Sequence, residues 1–346
     1  MGVAPAAAHL TQNSSVELDF ASDRVEARVS IPISEIAYAT GRRPMDGPTV
    51  LGHIGVTTPD GKPWTISLAN IAPAPPNLVA RLTLTPPPGA PVRRFTFRDD
   101  AIIDRLDSHI ILIFARADFA AGVLQGSAEM LGGLQHGQTE IVIDRGPGSG
   151  WRGFVAAVRL GMHHIAEGYD HLLFLLALLL PAPLLVRGTR WGAYGGFRPM
   201  LRKLILVVSA FTIGHSITLI GGAFLGWSLP NRPVEVGIGL SILISAIHAA
   251  RPIFAGREPL IAAGFGLIHG LAFATVISAF ALEPWFKAQA ILGFNVGIEL
   301  VQLGVVLTAL PLLVLLGRRA VYAKVRIVAA ALTGAVALFW IVQRLG

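Results

Sequence analysis

From about residue 160 to its end, the chain carries six apolar segments, each close to the length that crosses a bilayer. They run over about 160–186, 203–226, 234–250, 259–282, 288–316 and 321–343. A helix rising 1.5 Å per residue needs about 20 apolar residues to span roughly 30 Å of hydrocarbon. In that solvent every backbone N–H and C=O must find a partner within the protein, so runs of this length fit helices. The composition agrees, with 53% hydrophobic and 14% charged residues against roughly 25% charged in soluble domains. The first segment is the least regular. Phe154 to Tyr169 contains Arg159, His163, His164 and Glu167, so only Leu172 to Val186 is uninterrupted. That leading half is expected as an interfacial or re-entrant helix feeding a short span.

The net charge of +7 is unevenly placed. Residues 1–150 hold 12 basic and 15 acidic side chains, whereas residues 151–346 hold 16 basic and 6 acidic ones. The positive excess therefore sits in loops of the apolar half, which marks membrane orientation and gives no reason to expect nucleic acid as a partner. The loops after segments one, three and five contain eleven Lys and Arg. Those after segments two and four, with the C-terminal tail, contain only Arg232, Lys287 and Arg344. Basic loops stay in the cytoplasm. The expected setting is a multi-pass protein of the inner (plasma) membrane, with its N-terminal domain and its C-terminus both outside.

Residues 12–145 read differently. Ser15–Asp19, Val25–Ile31, Thr65–Leu68, Val79–Thr85, Arg94–Phe97, Ile110–Arg116 and Glu140–Ile143 are short β-type runs. Punctuators such as Pro59-Asp60-Gly61 and Pro86-Pro87-Pro88-Gly89 separate them. The expected fold is thus a polytopic α-helical membrane protein of about six spans with an N-terminal all-β, sandwich-like domain. Residues 1–11 read as the remnant of an export signal or a disordered terminus, 146–152 as a Gly-rich linker and 153–346 as the membrane domain. His53, His109 and His136 are scattered through the β region and read as surface or packing residues.

Ionisable groups at the bilayer centre cost on the order of 2.5–3.5 kcal/mol each, yet five of the segments carry them. Residues three, four and seven apart share a helix face. The first segment lines up Gly161, His164, Gly168 and His171, with Glu167 and Asp170 beside them. The second has Thr212, His215 and Thr218; the third Ser241, Ser245 and His248. The fourth has His269 between Gly266 and Gly270, and the fifth Asn295, Glu299 and Gln302. A lone buried His is usually a packing residue. Convergence of five stripes is better explained by a shared ion.

With no cysteine in the chain, a metal must be held by nitrogen and oxygen, which suits Ni²⁺, Zn²⁺, Cu²⁺ or Fe²⁺. The candidate ligands are His164, Asp170, His171, His215, His269 and Glu299, with the two carboxylates acting either as ligands or as partners that orient imidazoles. A proton relay is the alternative use of such a set. His248 lies nearer the cytoplasmic end, outside this set, and Glu235 reads as either a ligand or an interfacial charge.

Several motifs in order resemble the HupE/UreJ family. They are His164-Ile-Ala-Glu-Gly-Tyr-Asp170-His171-Leu-Leu-Phe174, Gly214-His215-Ser216-Ile217-Thr218-Leu219, and Glu235 to Ser241. The set continues with Phe265-Gly266-Leu267-Ile268-His269-Gly270 and Phe294-Asn295-Val296-Gly297-Ile298-Glu299. The resemblance covers about 155–343. It implies nickel uptake, and it carries a role in metal transport over to His164, Asp170 and His171, with His269 matching a later His-Gly element. The chain departs from the family's pattern in placing Gly266-Leu267 where that pattern has an additional His. Its large N-terminal domain makes it similar to a longer branch of the family.

Two functions follow as expectations. One is a permease for a nickel-like divalent cation. The other is a membrane-embedded hydrolase in which a His-bound metal activates water. Expected partners are membrane lipid, the metal ion and an extracytoplasmic protein that the β domain would bind.

Overall fold

The structure, a computed structural model, describes residues 12–41, 46–124, 126, 128–278 and 282–346, with backbone alone over 275–278. The expected signal remnant at 1–11 lies outside the described residues. The chain divides into two compact units; among the described residues the first takes in those up to Gly153 together with 282–283, and the second those from Phe154 to 278 and from Pro284 onward.

The first unit is β-rich. Strands β1 (Ser14–Phe20), β2 (Val25–Pro32), β4 (Thr65–Ala74), β5 (Asn77–Thr85), β7 (Ile111–Ala117) and β8 (Glu129–Leu134) form one sheet in the order β4-β5-β2-β1-β7-β8. Strands β3 (Ile54–Thr57), β6 (Arg94–Asp99) and β9 (Glu140–Asp144) form a second. The β1–β7 pair is parallel and the others are antiparallel. Alternate side chains of a strand face opposite ways. Val16 and Leu18, Ala27 and Val29, Leu82 and Leu84, and Ile111 and Ile113 accordingly bury one face of the large sheet. Phe95 and Phe97 of the small sheet join the same core.

Among the described residues, seven of the nine strands of this unit coincide with the β-type runs of the sequence. The other two, β3 and β8, lack a clear signal: β3 has four residues, and β8 contains Gly132 and Gly133. Two short helices, which the sequence pattern does not mark, join the strands. Helix α1 (Ile33–Thr40) ends at Gly41 in the left-handed region at φ 62°, where a residue without Cβ fits best. Helix α2 (Gly47–His53) is capped by Asp46, whose side chain accepts from Thr49 N.

The second unit is helical. Helices α5 (Phe197–Leu225), α6 (Asn231–Ala250), α8 (Pro284–Gly317) and α9 (Tyr322–Leu345) are each long and apolar enough to cross a membrane. Helix α7 (Glu258–Ser278) is the remaining long one. The first expected span needs correction. The expected leading helix and short span are α3 (Gly150–Glu167) and α4 (Tyr169–Leu179), broken at Gly168, whose φ of −80° and ψ of 86° are not helical. The correction is that α4 stops at Leu179, where the span was expected to run to Val186. Helix α3 also begins inside the expected linker. Pro181 and Pro183 follow the end of α4, where proline has no N–H to continue a helix. The chain then turns into a hairpin of β10 (Leu184–Arg187) and β11 (Arg190–Tyr194).

Candidate metal centre

Close helix packing comes first, because it decides what the polar side chains can reach. A Cβ on Gly214 would run into the carbonyl of Ala263, and one on Gly266 into that of Phe211, so α5 and α7 touch backbone to backbone. The same holds for α3 and α8, where Gly161 meets the carbonyl of Phe294 and Gly297 that of Val158. Small residues permit such approach in a membrane, where van der Waals contact takes over from the hydrophobic effect between helices. These glycines flank the histidines in sequence, so the tightest crossings carry the imidazoles.

The break at Gly168 completes the arrangement. A continuous helix would fix His164 and His171 two turns apart on one rod. The break instead brings their rings to 4.8 Å, nearly edge to face. A Cβ at Gly168 would stand 2.9 Å from His171 Nδ1 and 3.1 Å from Asp170 Oδ1, so the corner is closed to larger residues. His215 of α5 lies 6.2 Å from the His164 ring and 6.4 Å from that of His171. His269 of α7 lies 5.0 Å from His171. Ligand atoms of His164, His171 and His215 all fall within 4.8 Å of one another, as do those of Asp170, His171 and His269.

Hydrogen bonds divide the nitrogens. His171 Nδ1 is 3.0 Å from Asp170 Oδ1, which also accepts the His171 backbone N–H. His269 Nε2 is 2.9 Å from Ser241 Oγ. The opposite nitrogens, His171 Nε2 and His269 Nδ1, are buried without a partner, as are His164 Nε2 and both nitrogens of His215. A buried polar atom left unpaired costs about 1–3 kcal/mol, so five in one volume is a heavy penalty for a structural cluster. One nitrogen held by a carboxylate or hydroxyl with the other left free is how a metal-ligating imidazole is oriented. The donor set thus fits a borderline divalent ion. Phe174, Phe211, Phe273 and Phe294 wall the group, and sequence spacing gave no sign of this apolar cage.

The remaining candidates fall elsewhere. Glu299 stands apart: among the described residues it is in neither group of ligand atoms formed by the imidazoles and Asp170. It faces a groove of about 380 Å³ beside α5 and α8, with Ser209 and Asn295 as the other polar lining and leucine, isoleucine and valine for the rest. Gln302, on the same expected stripe, is buried with its Oε1 3.3 Å from Thr212 Oγ1. Glu235 pairs with Arg344 at 3.0 Å. His163 and Glu167 are exposed and face each other at 3.4 Å.

His248 forms a separate group at one end of the helices. It is fully buried, its Nδ1 accepts the backbone N–H groups of Ile253 and Phe254, and its Nε2 lies 3.7 Å from Glu258 Oε1. Glu258 in turn pairs with Lys203 at 2.7 Å. The sequence marked Lys203 only as a loop charge and did not single out Glu258. Its position directly after Arg257, as the one acid between Glu235 and Glu283, is the available signal. In the β-rich unit, His53 pairs with Asp100, His109 with Ser14 and His136 with the Ile103 carbonyl, all local packing contacts.

A helical membrane protein with four imidazoles and a carboxylate gathered in its interior is the class that this fold and site define. The family model described as HupE / UreJ protein matches residues 138–344. The chain belongs to the HupE/UreJ family, and the match takes in every helix from α3 onward. No curated protein and no solved structure matches it.

Proposed function

We propose that this protein is a permease that moves a nickel-like divalent cation across the inner membrane, with the His164, His171, His215 and His269 cluster as its selective station. The observation that carries the reading is the five partnerless imidazole nitrogens enclosed in one apolar cage. Cargo held by neutral imidazoles exchanges one liganding nitrogen for another without covalent chemistry. Asp170 and Ser241 keep two of the rings aimed inward.

A file of buried polar groups supports passage rather than storage. Ser241, Ser245 and His248 lie on one face of α6 and are all at most 1% exposed. Seven residues of helix cover about 10 Å, so this face leads from the histidine cluster toward the His248–Glu258–Lys203 group. In the proposed orientation the Arg-rich loops lie in the cytoplasm and the β domain outside, where it would receive the ion or a partner protein that delivers it.

Uptake of radiolabelled nickel, cobalt and zinc by cells expressing the wild type, His171→Ala or Asp170→Asn tests the reading. Loss of an oriented ligand or of its hydrogen-bond partner lowers metal affinity about 10–100-fold, so uptake at limiting metal is expected to fall by at least tenfold in both variants. Equal uptake in all three sinks it. A second reading, a metal-dependent hydrolase, draws support from the groove carrying Glu299, which is wide enough for an apolar substrate. Metal-dependent ester or amide hydrolysis by purified protein, without uptake, would favour that reading.

A further inference from the structure

One end of the helical unit gathers cations that have no counter-ion among the described residues. Arg326, in the first turns of α9, is only 5% exposed. Its Nη1 donates to the carbonyls of Ala249 and Ala250, at 2.8 Å for the latter, and its Nε is buried without a partner. Among the described residues no carboxylate lies within ion-pair distance of it. Two neighbouring cavities, of about 450 and 470 Å³, both have Arg326 and Trp191 in their walls. The first adds Arg318 and Arg319, the second Arg190 and Arg251, and none of these four pairs with an acid among the described residues. Arg318 instead lies over the Tyr194 ring at 5.3 Å.

A guanidinium buried against two carbonyls keeps its full charge, and such a charge needs an anion nearby. Five arginines around two cavities that share a wall would repel one another if nothing negative stood between them. Guanidinium groups match phosphate oxygens with paired N–H donors. The lining also has an apolar side. Ile327 borders the second cavity and is 51% exposed, and Val328 beside it is 58% exposed, on a helix long and apolar enough to cross the membrane. A soluble phosphate has no use for that strip, whereas an acyl chain does.

We propose that these cavities form a binding site for the phosphate headgroup of an anionic phospholipid, with Arg326 at its centre and the acyl chains laid along α9. The site owes nothing to the histidine cluster, so it stands whether or not the permease reading does.

The test uses the full chain purified in detergent, with binding followed by native mass spectrometry. The probes are phosphatidylglycerol, phosphatidylcholine and inorganic phosphate, and the variants are Arg326→Gln, Arg318→Gln/Arg319→Gln and Arg190→Gln/Arg251→Gln. Phosphatidylglycerol is expected to bind the wild type more tightly than phosphatidylcholine. Each arginine near the headgroup contributes roughly fivefold in affinity, so each double variant should weaken phosphatidylglycerol by an order of magnitude or more. Because Arg326→Gln risks misfolding, the double variants at exposed positions carry the decision. Equal binding of the two lipids, or unchanged binding in both double variants, overturns the proposal. Inorganic phosphate that binds as tightly as phosphatidylglycerol, with the same loss in the variants, overturns the lipid as its source.

Discussion

Asp99 shows how much a single buried carboxyl can govern. Its side chain is 1% exposed and accepts one hydrogen bond, from the Ala101 N–H, and burial pushes its pKa up to about 7. A carboxyl whose folded pKa is raised binds its proton more tightly in the native state, so its contribution to stability is present at low pH and fades as pH rises from about 4 to about 7. His109, buried beside Ser14, works in the opposite sense. Burial lowers its pKa to about 4, so its contribution is lost as pH falls from about 6.5 toward 4. Asp99→Asn keeps the acceptor and removes the charge. The variant should raise the unfolding temperature of the β unit at pH 8 more than at pH 5, which differential scanning calorimetry at both values measures. An equal shift at the two pH values would show that Asp99 is not the titrating group.

At the scale of elements, glycine pairs determine the geometry of the site. Helices α5 and α7 meet where Gly214 and Gly266 have no side chain, the first one residue before His215 and the second three before His269. Adding bulk there forces the backbones apart, and overpacking of this kind typically costs about 1–3 kcal/mol. Gly266→Val is therefore expected to lower thermal stability and to weaken nickel binding by isothermal titration by tenfold or more, although it alters no ligand. Gly264→Val on the same helix, whose Cβ meets nothing within 4 Å, should leave binding near wild type.

Elements also show where reading the sequence succeeds. Alternation exposes a strand such as β2, with its regular inside-outside pattern, because one face meets the core and the other does not. It fails for β8, where two glycines carry no side chain to alternate. The stripes holding His164, His171, His215 and His269 were legible since lipid makes polar residues conspicuous. The stripe of Asn295, Glu299 and Gln302 divides, because residues three apart still differ by about 60° around a helix. That angle is enough to aim Glu299 into a groove and Gln302 at Thr212. The break at Gly168 was only half visible: polar residues flagged an irregular segment, but the contact between the His164 and His171 rings depends on two backbone angles.

Across the whole molecule, the absence of cysteine gives an experiment free of background. The proposed topology places the turn holding Asp60 outside and the loop holding Arg257 inside, and both residues are exposed. Asp60→Cys should react with a membrane-impermeant maleimide in intact cells. Arg257→Cys should react only after the membrane is opened. The reverse pattern would invert the orientation and with it the direction assigned to the polar file on α6.

In the proposed permease, four imidazoles and one carboxylate would leave a divalent ion with about one uncancelled positive charge inside the apolar cage. Such an ion responds to voltage. A dication crossing the whole membrane gains about 4–5 kcal/mol for every 100 mV, interior negative, so the resting potential alone can drive accumulation without a coupled proton or nucleotide. Dissipating that potential with valinomycin and potassium should then abolish accumulation of the metal above its outside concentration.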